Sequence, residues 1–143
     1  MTASWFGLGL KSVANGSVDL DTDTVKATLH LSTYVPNVDT HDFRDDATNE
    51  ITGVGYTAGG VTLTTKTLTY DAGTNELRWD ADDVSWTSAS FTARILVLSK
   101  SRGGAATADE LISWVDFGAD ETVASGTFTV AWSATGIAKI TAT

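Results

Sequence analysis

Val25-Lys26-Ala27-Thr28-Leu29-His30-Leu31-Ser32 is the stretch on which the fold turns. Val25, Ala27, Leu29 and Leu31 share one parity, and Lys26, Thr28, His30 and Ser32 share the other. Apolar residues at every second position place one face of a β-strand against a core and turn the other outward, which puts His30 on the outward side.

The same period recurs on the C-terminal side. Val61 to Tyr70 reads as a threonine-rich strand whose phase slips, since Val61 and Leu63 lie on one parity and Leu68 and Tyr70 on the other. A bulge near Thr64-Thr65 reconciles the two halves. Asp71-Ala72-Gly73-Thr74-Asn75 is a hairpin loop, and Leu77 with Trp79 marks the returning strand. Val84 and Trp86 mark a short strand. Phe91 to Leu98 is the most apolar one, with Ile95-Leu96-Val97-Leu98 apolar on both faces, as a central strand requires. Leu111 to Phe117 follows, then an acidic loop Gly118 to Gly126, then the alternating Phe128, Val130 and Trp132, and a closing segment Ile137 to Thr141.

Turn signals at roughly 8–12-residue spacing and the lack of a long amphipathic helix predict an all-β fold, an antiparallel β-sandwich of about eight short strands. Two segments lie outside this pattern. Residues 1–17 read as an N-terminal arm or one short helix preceding a sandwich domain of residues 18–143, with Gly7 and Gly9 weakening the helix. Thr33 to Asn49 is a polar connection holding Pro36, with a helical turn through Asp42-Phe43-Arg44 and Phe43 as its anchor.

Composition restricts the function. The 143 residues are 42% hydrophobic and 19% charged, as in a globular domain able to bury a core. Cysteine is absent, which removes disulfides and thiolate chemistry. The net charge of −9 repels phosphate backbones and anionic membranes, so neither nucleic acid nor membrane is an expected partner. The longest strongly apolar run, Ile95–Leu98, falls far short of the roughly 20 residues of a membrane helix. Met1 to Leu10 lacks the basic start of a secretory signal, so no export is expected.

No residue constellation specifies chemistry. Asp19, Asp21 and Asp23 have the alternation of a calcium loop, but Thr24 and His30 stand where such a loop needs glycine and glutamate, so the segment reads as a polar turn. His41, Asp42, Asp45, Asp46 and Glu50 cluster without diagnostic metal spacing, and Arg44 is at hand to neutralise them. Asp80, Asp82 and Asp83 beside Trp79 and Trp86 resemble a glycosidase cleft only in composition. No serine has a nucleophile-elbow setting, and only His30 and His41 are available as bases. No catalytic, cofactor or metal residues are assigned. Trp79, Trp86 and Trp132 alternate on strands and read as core, whereas Trp5 lies outside the pattern. Trp5, Phe6, Leu8 and Leu10 therefore form the candidate partner-binding patch.

A family resemblance adds to this reading. The segments Tyr34-Val35-Pro36, Asp39 to Phe43, Asn49 to Gly53 and Gly55-Tyr56-Thr57-Ala58-Gly59-Gly60-Val61 resemble small virion proteins of tailed bacteriophages. Val18 to Lys26, Thr92-Ala93-Arg94, Val115-Asp116-Phe117-Gly118, Gly126 to Val130, Trp132 and Gly136-Ile137 fit in order, so the resemblance covers roughly residues 18–141. It implies a non-enzymatic particle component, a minor capsid or head-decoration protein. Its partners would be the major capsid protein or other virion proteins, with several copies on a symmetric shell. The implied location is the virion, after assembly in the host cytoplasm. A tail-associated or receptor- or carbohydrate-binding module is the alternative.

Overall fold

The computed structural model describes residues 1–143. The protein is an all-β sandwich of two antiparallel sheets. Its elements are β1 (Ser4–Trp5), α1 (Gly7–Ala14), β2 (Val25–His30), β3 (Val61–Thr62), β4 (Thr67–Asp71), β5 (Glu76–Asp80), β6 (Val84–Lys100), β7 (Leu111–Val130) and β8 (Ala138–Thr141), with single 3-10 turns at Arg44–Asp46 and Ala106–Ala108. The larger sheet has the order β1-β7-β6-β2-β3, and the smaller has β4-β5-β8.

Eight strands were expected, but they are not all short. β6 and β7 form one long ribbon of 17 and 20 residues. It spans the expected strands at Val84–Trp86, Phe91–Leu98 and Leu111–Phe117, and it includes Gly118 to Gly126, expected as an acidic loop. Breaks in register between Trp86 and Ala89, Ala89 and Phe91, and Ala93 and Ile95 bend the ribbon and shift its phase, which breaks the sequence period that marks a long strand. Cross-strand hydroxyl pairs, Thr92 with Thr122 at 2.8 Å and Ser85 with Thr129 at 2.9 Å, hold the polar half in sheet geometry. Asp120 and Glu121 lie exposed on this strand, where charge discourages a foreign strand from adding.

The phase slip in Val61–Tyr70 is not a bulge. β3 belongs to the larger sheet and β4 to the smaller, and the chain crosses between them through the buried Leu63 and through Thr65 at φ 52°. A change of parity thus records a change of sheet.

The main core lies between the sheets. Val25, Ala27 and Leu29 of β2, Leu96 and Leu98 of β6, and Ile112 of β7 meet Trp79 and Ala138 from the smaller sheet. Trp79 donates from Nε1 to Leu20 O at 2.9 Å, so its one polar group is satisfied at full burial. An edge-to-face cluster of Tyr56, Trp86, Phe91, Phe117 and Phe128 closes one end.

A second core covers the opposite face of the larger sheet, formed by Phe6, Tyr34, Ala47, Ile95, Val97 and Leu111. It explains why Ile95–Leu98 is apolar on both parities. It also corrects the outward placing of His30, which is 1% exposed beneath the connection that runs from β2 to β3. Nδ1 of His30 donates to Thr48 O at 2.8 Å and Nε2 pairs with Thr28 Oγ1 at 2.9 Å, which suits a neutral ring. In that connection Tyr34, at 2% exposure, is the deep anchor, while Phe43 is half-buried and bridges Glu110.

Candidate functional site

The patch expected to be free is largely structural. Phe6 is 0% exposed in the second core, and Ala3 belongs to the main one. The backbone is stitched in as well: Ala3 N donates to Ile137 O at 2.6 Å, Phe6 N to Ile112 O at 3.1 Å and Gly7 N to Val38 O at 2.8 Å. Residues 7–14 are helical, as one of the two expectations had it, but the segment is not an arm. Its glycines have a use that propensity conceals. A Cβ at Gly9 would lie 2.6 Å from Leu111 O and 2.7 Å from Ile112 O, so only glycine lets α1 lie this close to β7. Leu8 and Leu10 are half-buried. Trp5 is half-buried too, stacked on Trp79 at 6.1 Å between ring centres, with Nε1 donating to Lys139 O at 3.1 Å.

The acidic clusters are spent on local structure. Asp19 accepts from the amides of Asp21 and Thr22, and hydrogen bonding with the Asp21 carboxyl, then with the Thr22 hydroxyl and amide, holds its own carboxyl down at about 2. Asp23 pairs with Lys100 at 2.7 Å. Asp82 accepts from the hydroxyls of Thr64 and Thr65, and Asp83 from the amide of Trp132. Glu50 accepts from Tyr56 Oη at 2.7 Å and Gly59 N at 2.6 Å, Asp46 from the amide of Asp42, and His41 Nδ1 lies 3.1 Å from Tyr34 Oη. No three carboxylate or imidazole groups converge in a way that could hold a metal ion.

These groups set an acid response. Hydrogen bonds and ion pairs from Lys139 and Arg78 hold Glu76 at about 2, against an ordinary value of 4.5. Burial pushes His30 below its ordinary 6.5. For His30, the unfolded chain gains a proton below 6.5 that the folded ring resists, so stability falls as pH drops through that range. For Glu76, the contribution is complete above its ordinary value and fades as pH falls toward 2. Urea midpoints measured from about pH 8 to about pH 3 should therefore fall in two stages. His30→Gln should remove the first stage and Glu76→Gln should shrink the second. A flat profile down to pH 4 would contradict the assignment.

Two surface features remain after this accounting. The first is an apolar shelf on the smaller sheet. Leu77 of β5 lies in register with Tyr70 of β4 and Ile140 of β8, and Leu77 shares its face with the buried Trp79 two residues on. By parity this is the core side of the sheet. The larger sheet covers Trp79 and Ala138 but leaves Tyr70 58%, Ile140 37% and Leu68 38% exposed. The opposite side is polar, with Arg78 bridging Asp71 at 2.9 Å and Glu76 at 2.8 Å, and Lys139 on the far side of Glu76.

The second is a polar cleft of about 250 Å³ on the outer face of the larger sheet. Lys26 of β2 and Ser99 of β6 are directly paired across the strands and both line it, with Arg44 beside them. Ser101 and the glycines Gly103 and Gly104, which follow β6, form another wall. Lys26 makes no ion pair, and Ser99 Oγ is fully buried without a hydrogen-bond partner. Arg44 is held loosely, 3.4 Å from Asp109 and 4.0 Å from Glu50. A smaller cavity of about 200 Å³ beside Tyr34 and Pro36 differs, because its two charged groups, Arg94 and Asp116, are paired with each other.

Sequence reasoning missed both features. Lys26 and Ser99 are 73 positions apart and become neighbours only through strand pairing. Tyr70, Leu77 and Ile140 are each recognisable strand residues, yet nothing local tells which end of a sheet outreaches its partner. No protein-family model, curated protein or solved structure matches the chain.

Proposed function

We propose that the chain is a non-enzymatic structural module of a bacteriophage particle, a minor capsid or head-decoration protein that attaches to the shell through its apolar shelf. The observation that carries the reading is the shelf itself: a sheet face of core parity left uncovered at Leu68, Tyr70 and Ile140, around the half-buried Leu77, on an otherwise acidic protein. Exposed apolar rows on such a surface mark docking sites, and aromatic side chains supply most of the affinity at their centres. The particle as partner comes from the resemblance to small virion proteins over residues 18–141. Attachment through a sheet face also leaves the charged outer side of β4-β5-β8 toward solvent, as a component on a particle surface requires. A glycan-binding face needs two or more tryptophans exposed together, whereas Trp79 and Trp86 are spent in the core.

The test is co-sedimentation with heads lacking the protein. Saturable binding at a ratio set by shell symmetry is expected for the unaltered chain. Tyr70→Ser with Ile140→Ser should weaken it roughly 30-fold or more, the effect of losing about 2 kcal/mol at an interface centre. Both side chains are exposed, so the variant should retain the far-UV spectrum of the parent. Binding to tails alone would move the protein to the tail, and unaltered binding by the double variant would remove the shelf from the interface.

A further inference from the structure

We propose that the cleft between Lys26, Arg44 and Ser99 is a binding site for a small polar carboxylate. Two groups there are unspent. The Lys26 ammonium has no carboxylate partner, although the chain carries twice as many acidic as basic residues, 18 against 9. Ser99 Oγ lines the same cleft at full burial without a partner, and a hydroxyl left so is costly unless something accepts from it. Lys26 and Ser99 stand side by side in register, which suits two donors meeting the two oxygens of one carboxylate.

The charge balance selects the class of anion. Arg44 is already compensated by Asp109 at 3.4 Å and Glu50 at 4.0 Å, which leaves Lys26 as the one cation of the lining without a carboxylate partner. A monoanion neutralises that charge, whereas a phosphate dianion overshoots it beside the fixed Asp109. Ala58 is the one apolar residue of the lining, so the remainder of the ligand must be hydroxylated or otherwise polar. Arg44 is already engaged from one side by Asp109, whose own carboxylate also accepts from the amide of Arg102, so Asp109 positions the wall and does not compete for Lys26. The same chemistry is offered by a free hydroxy acid or by an acidic side chain of another protein.

The experiment is a titration of the 15N-labelled protein at constant ionic strength, followed by the amide resonances of Gly59, Ser99, Ser101, Gly103 and Gly104. Glycolate should give saturable shifts confined to this group, and chloride none. Lys26→Gln should weaken glycolate about tenfold or more, the effect of losing one charge-assisted hydrogen bond. Ser99→Ala should weaken it several-fold while the other resonances stay in place. Acetyl-aspartate amide binding more tightly than glycolate would support the site and assign the carboxylate to a partner protein, and the reverse order would assign it to a free hydroxy acid. Inorganic phosphate binding more tightly than either would overturn the choice of anion. Absence of saturation, or shifts unaltered by Lys26→Gln, would overturn the site. Head binding is read separately, so the two proposals fail independently.

Discussion

Replacing Phe6 by alanine lowers the unfolding free energy by about 3–5 kcal/mol, the usual result of emptying a buried aromatic site. Phe6 is 0% exposed and shares the second core with Tyr34, Ile95, Val97 and Leu111. Little can move in to fill the gap. The backbone on either side is pinned, by Phe6 N on Ile112 O and Gly7 N on Val38 O, and α1 is already in van der Waals contact with β7 at Gly9. Single domains hold about 5–15 kcal/mol in total, so this one substitution should remove a large share. Leu8→Ala, at a half-buried position two residues on, should cost much less. Removing residues 1–12 altogether should leave a chain without a cooperative urea transition. A truncated chain that unfolds as steeply as the parent would show that the segment is an appendage after all.

Gly60→Ala should be nearly as damaging, from the opposite cause. At Gly60 the backbone has φ +67°, and a Cβ there would lie 1.9 Å from Ala27 O and 2.7 Å from its carbonyl carbon. Ala27 is one of the two β2 residues that pair with β3, opposite Val61, the residue after Gly60. The methyl group can be housed only by parting the two strands. Left-handed strain of about 1–2 kcal/mol adds to about 1–3 kcal/mol of overpacking, so a loss of roughly 2–5 kcal/mol is expected. Hydrogen exchange would localise the damage: the amide of Leu63, which donates to Val25 O, should lose protection first. Undiminished protection at Leu63 would mean that the strands had found another way to accommodate the methyl.

The legible and illegible parts of this fold separate along physical lines. Alternation in Val25–His30 disclosed a strand and its buried parity, because a face against a core imposes period two whatever the topology. The double-sided apolar run Ile95–Leu98 disclosed a central strand for the same reason. His30 was misplaced because alternation reports which side of a strand is which, not what covers the second side. Here the cover is a connection with little periodicity of its own, held by Tyr34 and Ala47. The polar half of β7 was illegible because its register breaks reset the phase every few residues. Phe6 was legible as an apolar residue lacking a place, and the place proved to be inside the molecule. The shelf and the cleft each depend on which strands become neighbours, and no local pattern carries that information.

The joining of residues 1–5 to residues 131–141 has a consequence for how the molecule is made. Ala3 waits for Ile137, and Trp5 for Lys139 and for the Trp79 that β8 helps to frame. Ala3 and Ile137, like Trp5 and Lys139, are 134 residues apart, so closing the structure is a late and slow event, as for any fold dominated by distant pairings. During synthesis, Ala3 and Trp5 remain without their final neighbours until residues 137–139 have left the ribosome. An interrupted chain therefore never assembles the surface formed by Leu77 and Ile140.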